Sequence, residues 1–456
     1  MVKEAKNGES VANNSEEAVV HTLSNLIREG SDIIDPNTTK STGAGHKTKE
    51  IIGYKLTITN PLARLTTNPH LKFRLPLAVA RFTWLISGND RLQDIAFYTK
   101  AVGKFSDDGL IVPGSSYGKR MRNARPGLDQ LVSCIEELRR NPASRRAAVS
   151  IYYPEDSARN SRDIPCAFGI FFHIREEQLI TSIIMRSNNA FMLMPYNIFE
   201  FSMLAEIVAN NVGVKCGKLV YFAGSMHLYE RDFKNAKETI ESFYRSPEAE
   251  NSIMNAIPPG EGVIESVNEF CMHEAVLRHE SGKINNLNIK TYIDKAESAL
   301  KPYWFQFYLI LLSHIVDSNK CYDAFKAIEL KLNKTYLPYL KGLLAKSTEK
   351  DEETISKPTQ VHIRWTPFEK ECDRIYKQYI PMTGKTIRYD DHYKSFKLKH
   401  REDSPEKLSF ILEQFKRYDL SDLGNQKYSL NKDSNRNHSS ISEKKLKQIS
   451  RDASNL

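Results

Sequence analysis

The residues able to do chemistry fall in four short groups: Pro165-Cys166, Arg186-Ser187, Pro195-Tyr196-Asn197 and His227-x-Tyr229. A cysteine becomes a nucleophile when its thiol ionises, and a nearby guanidinium favours the thiolate. A dianionic phosphate is best held by several guanidinium forks. Taken singly, each group has an ordinary reading. Cys166 fits a buried structural thiol, Arg186 a surface cation after a strand, and His227 a satisfied core histidine. Their joint order and spacing argue for one site.

Elements of regular pattern hold these groups apart. Val19–Arg28 has helical periodicity, a Gly/Thr/Ser-rich loop covers 38–45, and Ile51–Ile58 alternates as a strand. Leu75–Ile86 reads as a core helix with Gly88 as its C-cap. Asp129–Arg140 is amphipathic and stops at Asn141-Pro142. Strands are expected at Ala147–Tyr153, Ala167–Ile174, Leu179–Met185 and Leu219–Phe222, with a helix over Ile198–Val212 between the last two. From about residue 232 to 345 the pattern is mostly helical. Residues 1 to about 15 are polar and read as disordered, 346–358 as a charged linker, 359–423 as a small segment with Trp365, Tyr376 and Phe410, and 424–456 as a disordered tail.

Composition bounds the partners. The chain has 456 residues, 40% hydrophobic and 10% aromatic, enough for a full core. A net charge of +9 favours anionic partners, phosphate and nucleic acid alike. No zinc motif and no aromatic-rich RNA signature backs the nucleic-acid reading. The basic runs Lys119-Arg120-Met121-Arg122 and Lys444-Lys445-Leu446-Lys447 read as solvated surface. Six cysteines lie far apart, so neither a disulfide framework nor a metal site is expected. The polar start lacks a secretory core, and the apolar run Tyr303–Leu312 is too short to span a bilayer. A cytoplasmic location with reduced thiols is the expectation.

The ordered groups resemble the thymidylate synthase family, which includes the pyrimidine hydroxymethylases. The resemblance covers about residues 16–235. It runs through Thr42-Gly43, Trp84-Leu85, Tyr117-Gly118, Asp129-Gln130-Leu131, Asn141-Pro142-x-Ser144-Arg145-Arg146 and Pro165-Cys166. The longest stretch is Met185–Asn197 (MRSNNAFMLMPYN) against the family's QRSxDxxLGxPFN, and the last is Gly224–Tyr229 (GSMHLY) against GDxHxY. It implies an α/β (α+β) fold: a mixed sheet with flanking helices, packed sheet to sheet in a homodimer, plus a mostly helical extension over 236–345.

The resemblance also assigns roles. Cys166 is the nucleophile that adds to C6 of a pyrimidine, with Arg186 and Tyr117 as catalytic partners. Arg186, Ser187 and a pair lent by the partner subunit, Arg145 and Arg146, hold the phosphate of a nucleoside monophosphate. His227 and Tyr229 hold the sugar hydroxyl. Asn197 reads the base edge, and its carboxamide leans towards uracil because a cytosine-selective member carries Asp there.

Several departures fall on functional positions. Arg81 stands at the family's catalytic Glu, and a permanent cation cannot relay a proton near neutral pH. Asn189 stands at the Asp that holds the folate pterin. Ala167 follows the nucleophile in place of His, Tyr152-Tyr153 replaces Trp-Asn, and Ser41 replaces the first phosphate-loop Arg. The nucleotide contacts remain and most folate contacts are gone, so the cofactor is unknown, with folate at a rebuilt site and flavin as candidates. The leading expectation is an enzyme, a one-carbon transferase of this type modifying a uridylate-like ring at C5. The alternative is a catalytically inert nucleotide-binding or sensing module, and the third choice a base modifier associated with nucleic acid.

Overall fold

The computed structural model describes residues 9–34, 47–245, 253–260, 262–340 and 342–343. Two compact units divide the chain, 1–360 and 361–456, and every described residue belongs to the first. The Thr38–Gly45 loop with Ser41, the linker at 346–358, the segment at 359–423 and the tail lie outside the described residues.

Among the described residues, seven strands form one mixed sheet: β1 (Glu9–Ala12), β2 (Ser31–Ile34), β3 (Lys47–Ile58), β4 (Ala148–Ser150), β5 (Ala167–Arg175), β6 (Gln178–Asn189) and β7 (Lys215–Tyr229). Their order is β1-β3-β7-β6-β5-β4, with β2 paired to β3. β6 and β7 run parallel, whereas β5 is antiparallel to β6 and β3 to β7. The side-chain period of two puts Ile170, Phe172, Ile183, Met185, Tyr221 and Ala223 on the buried face. The other face leaves Phe168, Phe171 and Phe222 exposed.

The main helices are α1 (Ser15–Glu29), α2 (Leu75–Ser87), α3 (Tyr117–Arg122), α4 (Gln130–Arg140), α5 (Met194–Val212), α6 (Phe233–Arg245), α7 (Val263–Glu280), α8 (Ile289–Ala299) and α9 (Pro302–Asn319). Helix α2 ends as expected at Gly88, whose φ of 69° is left-handed. Asp129 caps α4, its side chain accepting from the amides of Leu131 and Val132. Helix α5 is buried almost all round, which explains why its apolar residues show little one-sidedness.

Three expectations change. Residues 9–12 pair in parallel with Lys55–Ile58, and Ala12 is buried, so the disorder expected to about residue 15 does not hold for residues 9–15, while 1–8 lie outside the described residues. The short strand expected at Leu219–Phe222 extends over fifteen residues, because polar Ser225 and His227 continue its ladder beyond the apolar run. The helices after residue 235 do not form a body of their own. Trp304 stacks between Phe82 and Phe270, at 6.2 and 5.7 Å between centroids, joining α9 and α7 to α2 in one core. A buried ion pair of Arg64 with Glu206 sits beneath them, and Glu206 also accepts from the Ile257 amide at 2.6 Å. The run Tyr303–Leu312 lies within α9 as a core helix, and no described helix is long and apolar enough to cross a membrane.

Candidate active site

Strand register gathers the candidate residues. Met185 pairs with Ala167, placing Arg186 beside Cys166, and the Arg186 amide donates to the Cys166 carbonyl at 2.8 Å. One strand over, Ser187 pairs with Ser225 and Asn189 with His227. Gly224 is required here, because a β-carbon would come within 2.9 Å of the Arg186 carbonyl oxygen. Cys166 at the start of β5, Arg186 and Ser187 near the end of β6, and His227 near the end of β7 thus share one end of the sheet.

The Arg186 guanidinium is held by backbone. Its Nε donates to the Pro165 carbonyl at 2.7 Å and its Nη2 to the Ile164 carbonyl at 3.0 Å. The same Nη2 lies 3.9 Å from the Cys166 sulfur. Burial pushes the Cys166 thiol above its ordinary pKa, Arg186 pulls it back, and Asp163 adds to the rise. Asp163 itself accepts from the amides of Gly114 and Ser115 at 2.6 and 2.8 Å, anchoring the loop before α3.

Asn197, in the first turn of α5, is buried between two polar neighbours. Its Oδ1 accepts from Asn188 Nδ2 at 2.9 Å, and its Nδ2 donates to Glu200 Oε2 at 3.1 Å. Glu200 is 4% exposed and carries a second partner, Arg81 on α2. Arg81 Nη2 donates to Oε2 at 3.1 Å, and Nε lies 2.9 Å from Oε1 in the same ion pair. Tyr117, buried on α3, stacks at 6.1 Å on Phe201 and feels the charges of Cys166, Glu200 and Arg81. Burial first, then Cys166 and Glu200, hold its phenol well above its ordinary pKa.

His227 Nδ1 lies 3.3 Å from the Ser187 hydroxyl, and its ring meets Tyr229 edge-on at 5.1 Å. Burial, with Arg186 adding, lowers the His227 pKa to about 4, so the imidazole is neutral. Arg145 and Arg146 are exposed, ahead of β4, and neither forms an ion pair with a described residue. Asn189 faces its own turn: Oδ1 accepts from the amides of Phe191 and Met192 at 3.0 and 2.7 Å. The atom that would grip a pterin is occupied as an internal cap, and the described residues do not fit a folate clamp there. A separate cleft of about 1450 Å³, lined by Ile135, Arg139, Glu206, Val214 and Ile257 among others, includes none of these side chains.

Cys166, Arg186, Ser187, His227, Tyr117 and Asn197 therefore sit on adjoining elements around one end of the sheet. Glu200 escapes the motifs because it lies three residues beyond Asn197, where the Met185–Asn197 stretch ends. Its signal was an acid inside the apolar run Pro195–Leu204, where a carboxylate needs a buried partner.

Fold and site together define a mixed α/β protein with a partly buried thiol, an arginine and amide groups at one sheet end. The family model for thymidylate synthase matches residues 23–258, just over half of the sequence, and the chain belongs to that family. It is 29% identical over 235 residues to the deoxyuridylate hydroxymethyltransferase of Bacillus phage SP01, which covers 49% of this chain and 59% of that relative. It is 30% identical over 219 residues to a putative thymidylate synthase of Methanothermobacter marburgensis, covering 48% and 91%. A thymidylate synthase of Mycoplasma genitalium is 31% identical over 149 residues, covering 33% and 51%. The chain thus spans less than two thirds of the phage and Mycoplasma relatives.

Proposed function

We propose that the chain is a transferase acting on a uridylate-like nucleoside monophosphate. The Cys166 thiolate adds to C6, and the C5–C6 electron pair moves into the ring carbonyl as an enolate. C5 then attacks a one-carbon electrophile delivered by a separate donor molecule. The C5 proton leaves to water, and the electron pair it leaves behind re-forms the C5–C6 double bond and expels the thiolate from C6. Arg186 and Ser187 receive the phosphate with Arg145 and Arg146 of a second copy, His227 and Tyr229 the sugar, and Asn197 the base edge. The observation that carries this reading is the 3.9 Å approach of Arg186 to the Cys166 sulfur on a frame that also holds Ser187 and His227. No step is assigned to folate, whose clamp position is spent on a turn.

Homodimerisation is part of the proposal. The exposed row Phe168, Phe171 and Phe222 supports packing against a second sheet, and the exposure of Arg145 and Arg146 supports their reaching a partner. Mixing Cys166→Ala with Arg145→Ala/Arg146→Ala tests both points. Each variant alone is inactive, and the mixture regains activity only where sites are shared between copies.

The direct test is intact-mass analysis after incubation with 5-fluoro-deoxyuridylate, with and without a one-carbon folate. The expected result is a covalent adduct on the wild-type chain and none on Cys166→Ala. Tight non-covalent binding without adduct selects a second reading, an inert nucleotide module. Two observations favour that alternative: burial raises the Cys166 thiol pKa, and Arg81 stands where the family carries a carboxylate.

A further inference from the structure

We propose that the Arg81–Glu200 pair sets base specificity by fixing the carboxamide of Asn197 in one of its two orientations. The proposal rests on the reading of Asn197 as the group that meets the base edge, and deepens it.

Hydrogen-bond bookkeeping gives the direction. A guanidinium only donates, and a carboxylate gripped by it only accepts. The Asn197 atom facing Glu200 at 3.1 Å is therefore the amide nitrogen. The carbonyl oxygen is then turned to Asn188, whose Nδ2 donates to it at 2.9 Å. Carboxamides are usually ambiguous by a half-turn, and here the charge on Glu200 removes the ambiguity. One N–H and one lone pair of Asn197 remain, in fixed order.

Uracil offers N3–H beside the carbonyl O4, a donor beside an acceptor, and this complements the remaining Asn197 edge. Cytosine offers the reverse, an acceptor at N3 beside an N4 donor. A free carboxamide would turn over and serve either base. Here turning would set Oδ1 against the Glu200 carboxylate, oxygen against oxygen at about hydrogen-bond distance. Asn188 cannot act as the lock, because its own carboxamide can turn to match. Glu200 can, because carboxylate oxygens only accept. Two buried atoms in the same cluster, Asn188 Oδ1 and the Tyr221 hydroxyl, make no hydrogen bond and are left for a ligand to pair.

Calorimetric binding of deoxyuridylate and deoxycytidylate to the full chain tests this. Wild type is expected to favour deoxyuridylate by about 100-fold or more. Glu200→Gln offers both a donor and an acceptor to Asn197, and the preference should fall to roughly tenfold or less. The double variant Arg81→Met/Glu200→Met removes the charge without leaving one unpaired, and should do the same if Glu200→Gln folds poorly. A folded Glu200→Gln or double variant with the wild-type ratio overturns the inference, as does wild type binding both nucleotides equally. Wild type binding neither nucleotide removes the functional reading itself.

Discussion

Arg81 on α2 and Glu200 on α5 form a two-pronged ion pair, 2.9 Å from Nε to Oε1 and 3.1 Å from Nη2 to Oε2. The pair clamps the helix that carries Asn197 to the helix before α3, which carries Tyr117. Glu200 is 4% exposed and the Arg81 side chain 21%. Removing one member of such a pair leaves the other uncompensated, at a typical cost of ~3 kcal/mol, whereas replacing both by apolar groups is close to neutral. Arg81→Met should therefore lower the denaturation midpoint sharply, and the double Met variant should recover most of the loss. Urea titrations followed by fluorescence check this, and equal losses in the single and double variants would contradict it.

Cys166 should react slowly with alkylating reagents near neutral pH, because burial outweighs Arg186 and raises the thiol pKa. Only the thiolate attacks, so the rate climbs as pH rises above the ordinary cysteine range. Arg186→Met removes the one group that favours the thiolate and moves the profile to still higher pH. Peptide mapping of iodoacetamide adducts against pH reads this directly. Cys134 and Cys216, pushed up to about 12 by burial first, should stay unmodified throughout.

Legibility from sequence divides along a physical line. Elements whose pattern repeats locally were readable: α2 with its glycine cap, α4 with Asp129, and the β5–β6 pair with Cys166 and Arg186 at matched ends. The arrangement of Ser187 against His227 was legible as ordered motifs. Glu200 was not, because its meaning depends on Arg81, 119 residues earlier, and a partner that distant leaves no local pattern. In sequence Arg81 reads only as a lost carboxylate, whereas in the fold it meets the carboxylate of Glu200 on a different helix. The packing of α7 and α9 onto α2 was likewise hidden, since Phe82, Phe270 and Trp304 read as separate core residues of separate helices.

His227 should make the fold sensitive to mild acid. Its pKa is lowered to about 4 by burial, with Arg186 adding, against an ordinary value near 6.5 in the unfolded chain. A depressed pKa gives stability that is complete above the unfolded value and is lost as pH falls through the folded one. Stability should thus decline between pH ~6.5 and ~4, by at most about 1.4 kcal/mol per pH unit from this one proton. His227→Gln should flatten that part of the profile. Nuclear magnetic resonance of the imidazole should show no titration between pH 8 and ~5, and a midpoint near 6.5 would refute the prediction.

Gly118 should tolerate no side chain. It follows Tyr117 in the first turn of α3, where that short helix lies against α2, and a β-carbon there would overlap the carbonyl of Leu85. The obstacle is backbone of a buried helix, which cannot rotate aside as a side chain would. Gly118→Ala must therefore push α3 away from α2, and Tyr117 moves with it, away from its stack on Phe201. A conservative change of one methyl group should then cost ~2 kcal/mol of stability as an overpacked core site. It should also weaken reaction at Cys166 more than it weakens phosphate binding at Arg186, because Tyr117 neighbours the thiol. Comparing adduct formation with equilibrium affinity in Gly118→Ala separates the two. An equal loss in both would mean that α3 supports the pocket as a whole rather than placing Tyr117 beside the nucleophile.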